Sequence, residues 1–156
     1  MTIRKATIND METLVKLRVD FLRNNSNLDC LDNEELLKLK LRDYYRKWLP
    51  GGGFVAFIAE DGDAVYSTAF LSVAERPPRD ADASCLVGTV YNVFTYPQYR
   101  RKGMATKVMN TLLDEAKALG LASVELMATD DGKPLYEKLG FTPSKHTSMR
   151  LKLGCR

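Results

Sequence analysis

The sequence has few residues that bind metals or form disulfides. It contains one histidine and three cysteines, and Cys30, Cys85 and Cys155 are widely spaced, with no Cys-x-x-Cys pair among them. Scattered thiols in odd number, with almost no histidine, are typical of reduced cysteines in a cytoplasmic protein rather than of a zinc site. We therefore expect free thiols, no metal and a cytoplasmic location.

Long apolar segments and strong net charge are also absent. No run approaches the roughly 20 apolar residues of a membrane span, and the first residues lack the apolar core of a signal peptide. The net charge of +3 is too small to indicate nucleic-acid binding. With 156 residues, 45% of them hydrophobic, the chain has the size and composition of one globular domain over residues 1–156. We expect neither a membrane nor a nucleic-acid partner.

A strand, a basic loop and a helix occupy the middle of the chain. Residues 86–95 are rich in β-branched and aromatic side chains and are apolar on both faces, which predicts a strand in the middle of a covered sheet. Over residues 104–119 apolar side chains recur at helical spacing, which predicts an amphipathic helix. The loop between them, residues 100–103, consists of three cations and a glycine.

The start of this predicted helix has no Ser, Thr, Asp or Asn at the natural capping position. A helix start that is uncapped, surrounded by positive charge and opened by Gly103 suits an anion, above all a phosphate. The alternative is a basic, solvated loop. Gly103 is the only glycine in the loop, so neither the dinucleotide-binding fingerprint nor the GxxxxGK[ST] phosphate loop is present.

Three motifs in order resemble one family. Arg100-x-x-Gly103-x-Ala105 fits the pattern [RQ]-x-x-G-x-[GA] and resembles the pyrophosphate loop of the GCN5-related N-acetyltransferases, the GNAT family. Residues 93–97 (Val-Phe-Thr-Tyr-Pro) are similar to the end of that family's fourth strand, and residues 135–141 (Leu-Tyr-Glu-Lys-Leu-Gly-Phe) resemble its later Tyr-x-x-x-Gly-Phe signature. The specific resemblance covers residues 86–141, and the N-terminal half matches only in layout.

The resemblance implies an α+β (α/β) fold with a mixed, mostly antiparallel sheet of about six to seven strands, flanked by about four helices. The residue pattern itself predicts strands at residues 3–6, 54–59, 64–73, 86–95, 124–127 and 147–153. It predicts helices at residues 9–24, 34–49, 104–119 and 133–139, the first opened by Asn9 and Glu12 as a capping box.

By this resemblance acetyl-CoA is the co-substrate. The backbone of Val93 and Thr95 is expected to pair with its pantetheine arm, and the N–H groups of residues 101–106 with its pyrophosphate. Thr129 stands where the family pattern has asparagine, and Gly132 where it has alanine. The expected cofactor-binding residues are Val93, Phe94, Thr95, Arg100, Arg101, Lys102, Gly103, Met104, Ala105, Thr106 and Thr129.

Two residues are candidates for catalysis. Tyr136 matches the family's tyrosine near the thioester sulfur, and a phenol (pKa about 10) can donate a proton to a forming thiolate (thiol pKa about 8.5). The alternative for Tyr136 is a packing residue. Many relatives carry a glutamate on the fourth strand, but residues 89–92 (Thr-Val-Tyr-Asn) have no carboxylate. Asn92 there is either a residue that orients water or substrate, or a satisfied amide at a β-bulge.

The expected function is an acyltransferase that moves acetyl from acetyl-CoA to the primary amine of a small molecule, by direct attack in a ternary complex. The alternatives are a protein or peptide N-acetyltransferase and a non-catalytic acyl-CoA-binding module. A monomer and a homodimer are equally compatible with the sequence. Acidic residues cluster around the turn between the first two predicted helices: Asp20, Asp29, Asp32, Glu34 and Glu35. Such a cluster favours a cationic acceptor. The alternative is that helix starts themselves favour acidic residues.

Overall fold

Five strands form one sheet in the computed structural model, which describes residues 1–25, 33–81 and 83–154. In sheet order the strands are β1 (Thr2–Lys5), β2 (Phe54–Asp61), β3 (Ala64–Glu75), β4 (Leu86–Thr95) and β5 (Ser123–Glu125). The helices are α1 (Met11–Asn24), α2 (Glu34–Trp48), α3 (Met104–Ala118) and α4 (Lys133–Lys138). All neighbouring strands are antiparallel except β4 and β5. The mixed, mostly antiparallel α+β architecture is confirmed, but the predicted six to seven strands were too many.

The strand predicted at residues 147–153 is the one that does not form. This segment has no strand in the described part of the chain, and Met149, Leu151 and Leu153 are 80–91% exposed. Alternating apolar residues indicate a strand only where a neighbouring strand and a core cover one face. The last strand of the described sheet, β5, has three residues and pairs only with β4. Residues 147–153 therefore have no neighbouring strand in the described sheet.

Helix α1 is capped by a different pair from the one predicted. Thr7 and Asp10, not Asn9 and Glu12, form the capping box, at a 3-10 turn (Ile8–Asp10) that leads into α1. Asp10 also accepts two hydrogen bonds from the Arg4 guanidinium of β1, at 2.9 and 2.8 Å. Glu12 instead accepts two from Arg42 of α2. Partners from other elements thus decide which carboxylate caps the helix, and a local pattern does not contain them.

Helices cover both faces of the sheet. Successive side chains of β2 point to opposite faces, and each set joins a different apolar cluster. Helix α3 packs on one face, in a cluster that includes Val55, Phe57, Leu71, Val108, Met109 and Leu112. Helices α1 and α2 pack on the other, in a cluster that includes Phe54, Ile58, Phe70, Leu14, Leu17 and Tyr45. Because both faces are buried, every residue from Phe54 to Ala59 is buried.

Strands β4 and β5 pair over three residues and then separate. Val87, Gly88 and Thr89 pair with Ser123–Glu125, and β5 ends there. On its other side β4 stays paired with β3 as far as Thr95, with a shift of register between Thr68 and Phe70. The bulge that results places Asn92 at φ 55°, in the left-handed region. In the part of the chain that the structure describes, the second half of β4 therefore has one edge without a strand neighbour.

The expectation of free thiols can be compared with the structure at one of the three cysteines. Cys85 is a free thiol, whereas Cys30 and Cys155 lie outside the described residues. Within the described ranges, no helix has the length and apolar character needed to cross a bilayer.

The Arg4–Asp10 pair should make the free energy of unfolding depend on pH. Its hydrogen bonds hold the pKa of Asp10 at about 2, below the usual 3.8, so the ionised carboxylate stabilises the folded state. We expect Asp10→Asn to lower the free energy of unfolding at pH 7 by about 1–2 kcal/mol. This contribution is complete above the unfolded-state pKa and is lost as pH falls toward 2. The difference between variant and wild type should therefore shrink over that range in urea titrations.

The matched control is Glu12→Gln, because Glu12 forms a similar two-bond pair but its side chain is 69% exposed. We expect this variant to lose much less stability than Asp10→Asn, because an exposed ion pair contributes little. An Asp10→Asn deficit that is the same at pH 2 and pH 7 would show that charge is not the cause.

Candidate functional site

A groove of about 670 Å³ opens where β4 and β5 separate. One wall is β4 from Thr89 to Thr95, and the opposite wall runs from Leu126 to Tyr136 in α4. Helix α1 forms the third side with Arg18 and Phe21. The groove thus brings together three parts of the chain that lie far apart in sequence.

Most of the predicted site residues line this groove. They are Asn92, Val93, Phe94, Thr95, Arg100, Ala105, Thr129 and Tyr136. The remaining ones are Arg101, Lys102, Gly103, Met104 and Thr106, which form the loop and first turn of α3 around Ala105 rather than the lining.

The open edge of β4 presents backbone groups to the groove. The N–H of Tyr96 donates to Tyr66 of β3 at 3.1 Å. Successive backbone groups of a strand point to opposite sides, so the N–H and C=O of Thr95 point away from β3 and toward the gap. The Thr95 carbonyl accepts a hydrogen bond from Arg100 Nε at 2.9 Å, a contact that the sequence did not indicate. Arg100 thereby joins the basic loop to the end of the strand.

The start of α3 has the geometry of an anion site. Gly103 is the N-cap at φ 72° and no side chain caps the helix. The first helical hydrogen bond runs from Lys107 N–H to the Gly103 carbonyl, so the N–H groups of the three preceding residues have no partner within the helix. A Cβ at Gly103 would meet no heavy atom within 4 Å. These open donors, beside the exposed Arg101 and Lys102, fit a phosphate group.

Tyr136 reaches the groove from α4. Its ring packs edge-on against Phe141, with centroids 5.9 Å apart, and against the cluster beneath α3. Its hydroxyl makes no hydrogen bond with the described part of the chain. Burial raises the pKa of Tyr136 above its usual value of 10, so the phenol is protonated at neutral pH. The arrangement leaves a proton donor at the groove with no competing acceptor.

Gly132 explains one departure from the family pattern. A Cβ there would lie 3.1 Å from Cε2 of Tyr136 and 3.2 Å from Oγ1 of Thr129. The Thr129 hydroxyl accepts the Gly132 N–H at 3.2 Å, and its carbonyl accepts from Lys133 N–H at 2.9 Å. Thr129 thus lines the groove while its own turn uses its oxygens, and the small Gly132 lets the tyrosine ring approach that turn.

Asn92 is buried at the bulge and bonded to α1. It is 2% exposed, its Oδ1 accepts from Arg18 Nη1 at 3.3 Å, and its Nδ2 donates to the Leu17 carbonyl at 3.4 Å. These contacts are those of a satisfied amide at a β-bulge, which was one of the two sequence-based interpretations. A role in orienting water or substrate stays a prediction.

Sequence reasoning missed Arg18. This half-buried arginine lines the groove from α1, and burial lowers the pKa of its guanidinium. It has no carboxylate partner among the described residues. The other half-buried arginines there do: Arg4 pairs with two carboxylates and Arg42 with one. Its position between Leu17 and Val19, both buried, is a weak signal in the sequence.

The acidic group near the first two helices does not present free carboxylates in the described part of the chain. Asp20 is bonded to Lys16 and to the hydroxyl of Tyr96. Burial alone would raise the pKa of Asp20, but these two hydrogen bonds bring it below the usual value. Glu34 pairs with two cations and Glu35 with one. Asp20, Glu34 and Glu35 do not line the groove, and Asp29 and Asp32 lie outside the described residues.

Solved structures of known proteins resemble the whole chain. A predicted acetyltransferase of Clostridium acetobutylicum, solved with acetyl-CoA, is 28% identical with a TM-score of 0.83, and the match covers 97% of this chain and 96% of that one. A GCN5-related N-acetyltransferase of Ralstonia eutropha is 26% identical with a TM-score of 0.81, and the match covers 96% of this chain and 97% of that one.

A more distant structure shares the fold. Glucosamine-6-phosphate N-acetyltransferase of Arabidopsis thaliana is 22% identical with a TM-score of 0.71, over 98% of each chain. No curated protein matches the chain in sequence. The sequence pattern of the acetyltransferase (GNAT) domain matches residues 52–143, which is more than half of the 156 residues and includes the groove from β4 to α4. The chain therefore belongs to the GNAT acetyltransferase family.

Proposed function

We propose that the protein transfers an acetyl group from acetyl-CoA to the primary amine of a small molecule, by direct attack in a ternary complex. One observation carries the proposal: the open edge of β4, the uncapped start of α3 and the Tyr136 hydroxyl, which has no hydrogen bond to the described residues, meet at one groove. Membership of the GNAT family supports acyl transfer, and the 28% identical relative was solved with acetyl-CoA.

The start of α3 and the edge of β4 are the parts that would hold acetyl-CoA, which supplies the acetyl group as a thioester when bound. The N–H groups of residues 101–106 and the cations Arg101 and Lys102 would bind its pyrophosphate, because the positive end of a helix favours an anion. The gap-facing backbone of Val93 and Thr95 would pair with its extended arm. Thr129, on the opposite wall, lies across the groove from this edge.

Tyr136 and the solvent account for the protons in this proposal. Tyr136 Oη holds a proton that it can donate to a leaving thiolate sulfur, because a phenol remains protonated at a pH where a thiol begins to ionise. An alkyl amine with a pKa near 10.4 is less than about 0.1% neutral at pH 7. Since β4 carries no carboxylate along the groove, we propose that the ammonium loses one proton to solvent before the neutral amine attacks the thioester carbonyl. As the C–N bond forms and the C–S bond breaks, the nitrogen releases a second proton to solvent, and the Tyr136 phenolate takes one back from solvent.

A thiol-release assay with acetyl-CoA and a panel of small amines tests the proposal directly. Short peptides with a free N-terminus or a lysine side chain form the second arm of the panel. Release with small amines above the rate of hydrolysis is the expected result. Release with the peptides alone would replace the small-molecule acceptor by a protein, and tight binding of acetyl-CoA without any release would indicate a binding module.

Gly103 makes a prediction about cofactor affinity. Gly103→Glu should weaken CoA binding by at least about 100-fold in calorimetric titrations, because it places a carboxylate where the pyrophosphate is proposed to lie. The matched control is Gly62→Glu in the β2–β3 turn, because Gly62 also has positive φ (58°) and open space at its Cβ. The control adds the same charge and the same backbone strain and should bind CoA like wild type. Equal affinity in the two variants would remove Gly103 from the proposed site.

Tyr136 makes a prediction about the chemical step. Tyr136→Phe keeps the ring packing on Phe141 but removes the proton donor, so we expect kcat to fall roughly 100-fold. The affinity for CoA should stay within about twofold of wild type. Tyr66→Phe is the control, because Tyr66 lies outside the groove lining. An unchanged kcat in Tyr136→Phe would show that the residue serves only in packing.

The pH dependence of kcat/KM should follow the ionisation of the acceptor amine rather than that of a carboxylate on the enzyme. We expect kcat/KM to rise up to about pH 9 as the acceptor loses its proton. Because burial raises the pKa of Tyr136 above 10, ionisation of the phenol should not reduce the rate in that range. A plateau governed by a group of pKa near 6–7 would instead identify a general base on the enzyme.

A further inference from the structure

Arg18 is a half-buried cation in the groove lining that has no carboxylate partner among the described residues. It lies on α1 beside Phe21, with its Cζ 5.6 Å from the ring centroid, and its side chain is half-buried. Its hydrogen-bond partner is a neutral amide, the Oδ1 of Asn92 at 3.3 Å. Arginine does not lose its proton in proteins, so the guanidinium stays positive although burial disfavours the charge.

Taking a charge out of water without an opposing charge destabilises the protein. The half-buried Arg4 and Arg42 avoid this cost through carboxylates within the chain. Arg18 has no such carboxylate among the described residues, and the groove beside it is open. An anion that enters the groove would therefore gain more from Arg18 than from a cation already neutralised on the surface.

The donors of Arg18 are arranged to receive such an anion. Of its three guanidinium nitrogens, Nη1 donates to Asn92, and Nε and Nη2 have no acceptor in the described part of the chain. Nε and Nη2 form the edge of a guanidinium that binds carboxylate or phosphate through two parallel hydrogen bonds. The bond to Asn92 fixes the orientation of that edge relative to β4.

The charged residues that line the groove also favour an anion. Its charged residues are Arg18, Arg100 and Asp131, a balance of two positive against one negative. Arg100 already contacts the Thr95 carbonyl at the end near the start of α3. Under the proposed function that end takes the cofactor, so the part beside α1 is left for the acceptor.

We propose that the acceptor carries an anionic group, a carboxylate or a phosphate, in addition to its primary amine, and that the Nε–Nη2 edge of Arg18 binds this group. This inference rests on the proposed acetyl transfer, because the bound amine is an acceptor only in that reaction. It replaces the sequence-based expectation of a cationic acceptor, since the described acidic residues of that expectation are paired and lie outside the groove lining.

The test compares primary amines that carry an anionic group with related amines that lack it. Thiol release is measured with β-alanine against β-alaninamide, with O-phosphoethanolamine against ethanolamine, and with 1,3-diaminopropane as the cationic member. We expect the anionic member of at least one pair to have a kcat/KM about 10- to 100-fold above its neutral counterpart, as for one charge-assisted pair. The pair that shows the larger ratio identifies carboxylate or phosphate as the ligand.

Variants of Arg18 assign the preference to this side chain. Arg18→Gln should bring the anionic-to-neutral ratio close to 1, chiefly through a higher KM for the anionic acceptor, and Arg18→Lys should restore part of it. The matched control Arg46→Gln removes a cation from α2 outside the groove lining and should keep the wild-type ratio. Thermal melts and CoA titrations of each variant verify that the fold and the cofactor site are intact.

A binding measurement separates this inference from the proposed function. O-phosphoethanolamine and β-alanine are titrated into the CoA-saturated protein by calorimetry. Binding that Arg18→Gln abolishes, in a protein that releases no thiol with any amine, would uphold the anion site and reject acetyl transfer. Thiol release with neutral or cationic amines and no anionic preference would uphold the transfer and overturn the Arg18 assignment. A ratio that survives in Arg18→Gln, or no binding and no release at all, would also overturn it.

Discussion

The separation of β4 from β5 after three paired residues is the constraint on which the site depends. Backbone N–H and C=O groups of a strand need partners, and a sheet that stops pairing leaves one edge with open groups. Here the edge is partly satisfied by the protein, through Arg100 on the Thr95 carbonyl. What remains open faces a groove lined by α1 and α4, so the same break in pairing that costs the sheet hydrogen bonds creates a surface that can bind an extended ligand.

The bulge at Asn92 connects this edge to the rest of the molecule. It turns one residue of β4 into the left-handed region, where Asn is better tolerated than most residues. The buried amide then bonds to α1 at Leu17 and Arg18. A conformation that would be strained in isolation is therefore held by tertiary hydrogen bonds, and it sets the orientation of an arginine whose charge is not neutralised within the described chain. Strand, bulge and helix act as one unit on this side of the groove.

The opposite side of the groove depends on small residues and on packing. Gly103 lets α3 begin without a side chain over its first N–H groups, and Gly132 lets the Tyr136 ring lie against the turn at Thr129. Helix α3 is fixed beneath the sheet by Val108, Met109 and Leu112, all fully buried. A rigid helix of this kind keeps its N-terminal donors in place, which is what binding an anion at the positive end of a helix requires.

The sequence alone determined the elements whose signals are local. The apolar residues of β4 and the apolar stripe of α3 predicted the bounds of both elements to within one residue. The reason is that burial on both faces of a strand, or along one side of a helix, determines the spacing of apolar residues in the sequence. The uncapped, glycine-containing loop between them was visible for the same reason. Tertiary structure decided the rest. The cap of α1, the bond from Tyr96 to Asp20 and the exposure of the C-terminal apolar residues each depend on which distant side chain or strand is within reach. The same holds for Arg18, which has no carboxylate partner among the described residues. Such contacts join residues with no fixed spacing along the chain, so only the folded arrangement specifies them.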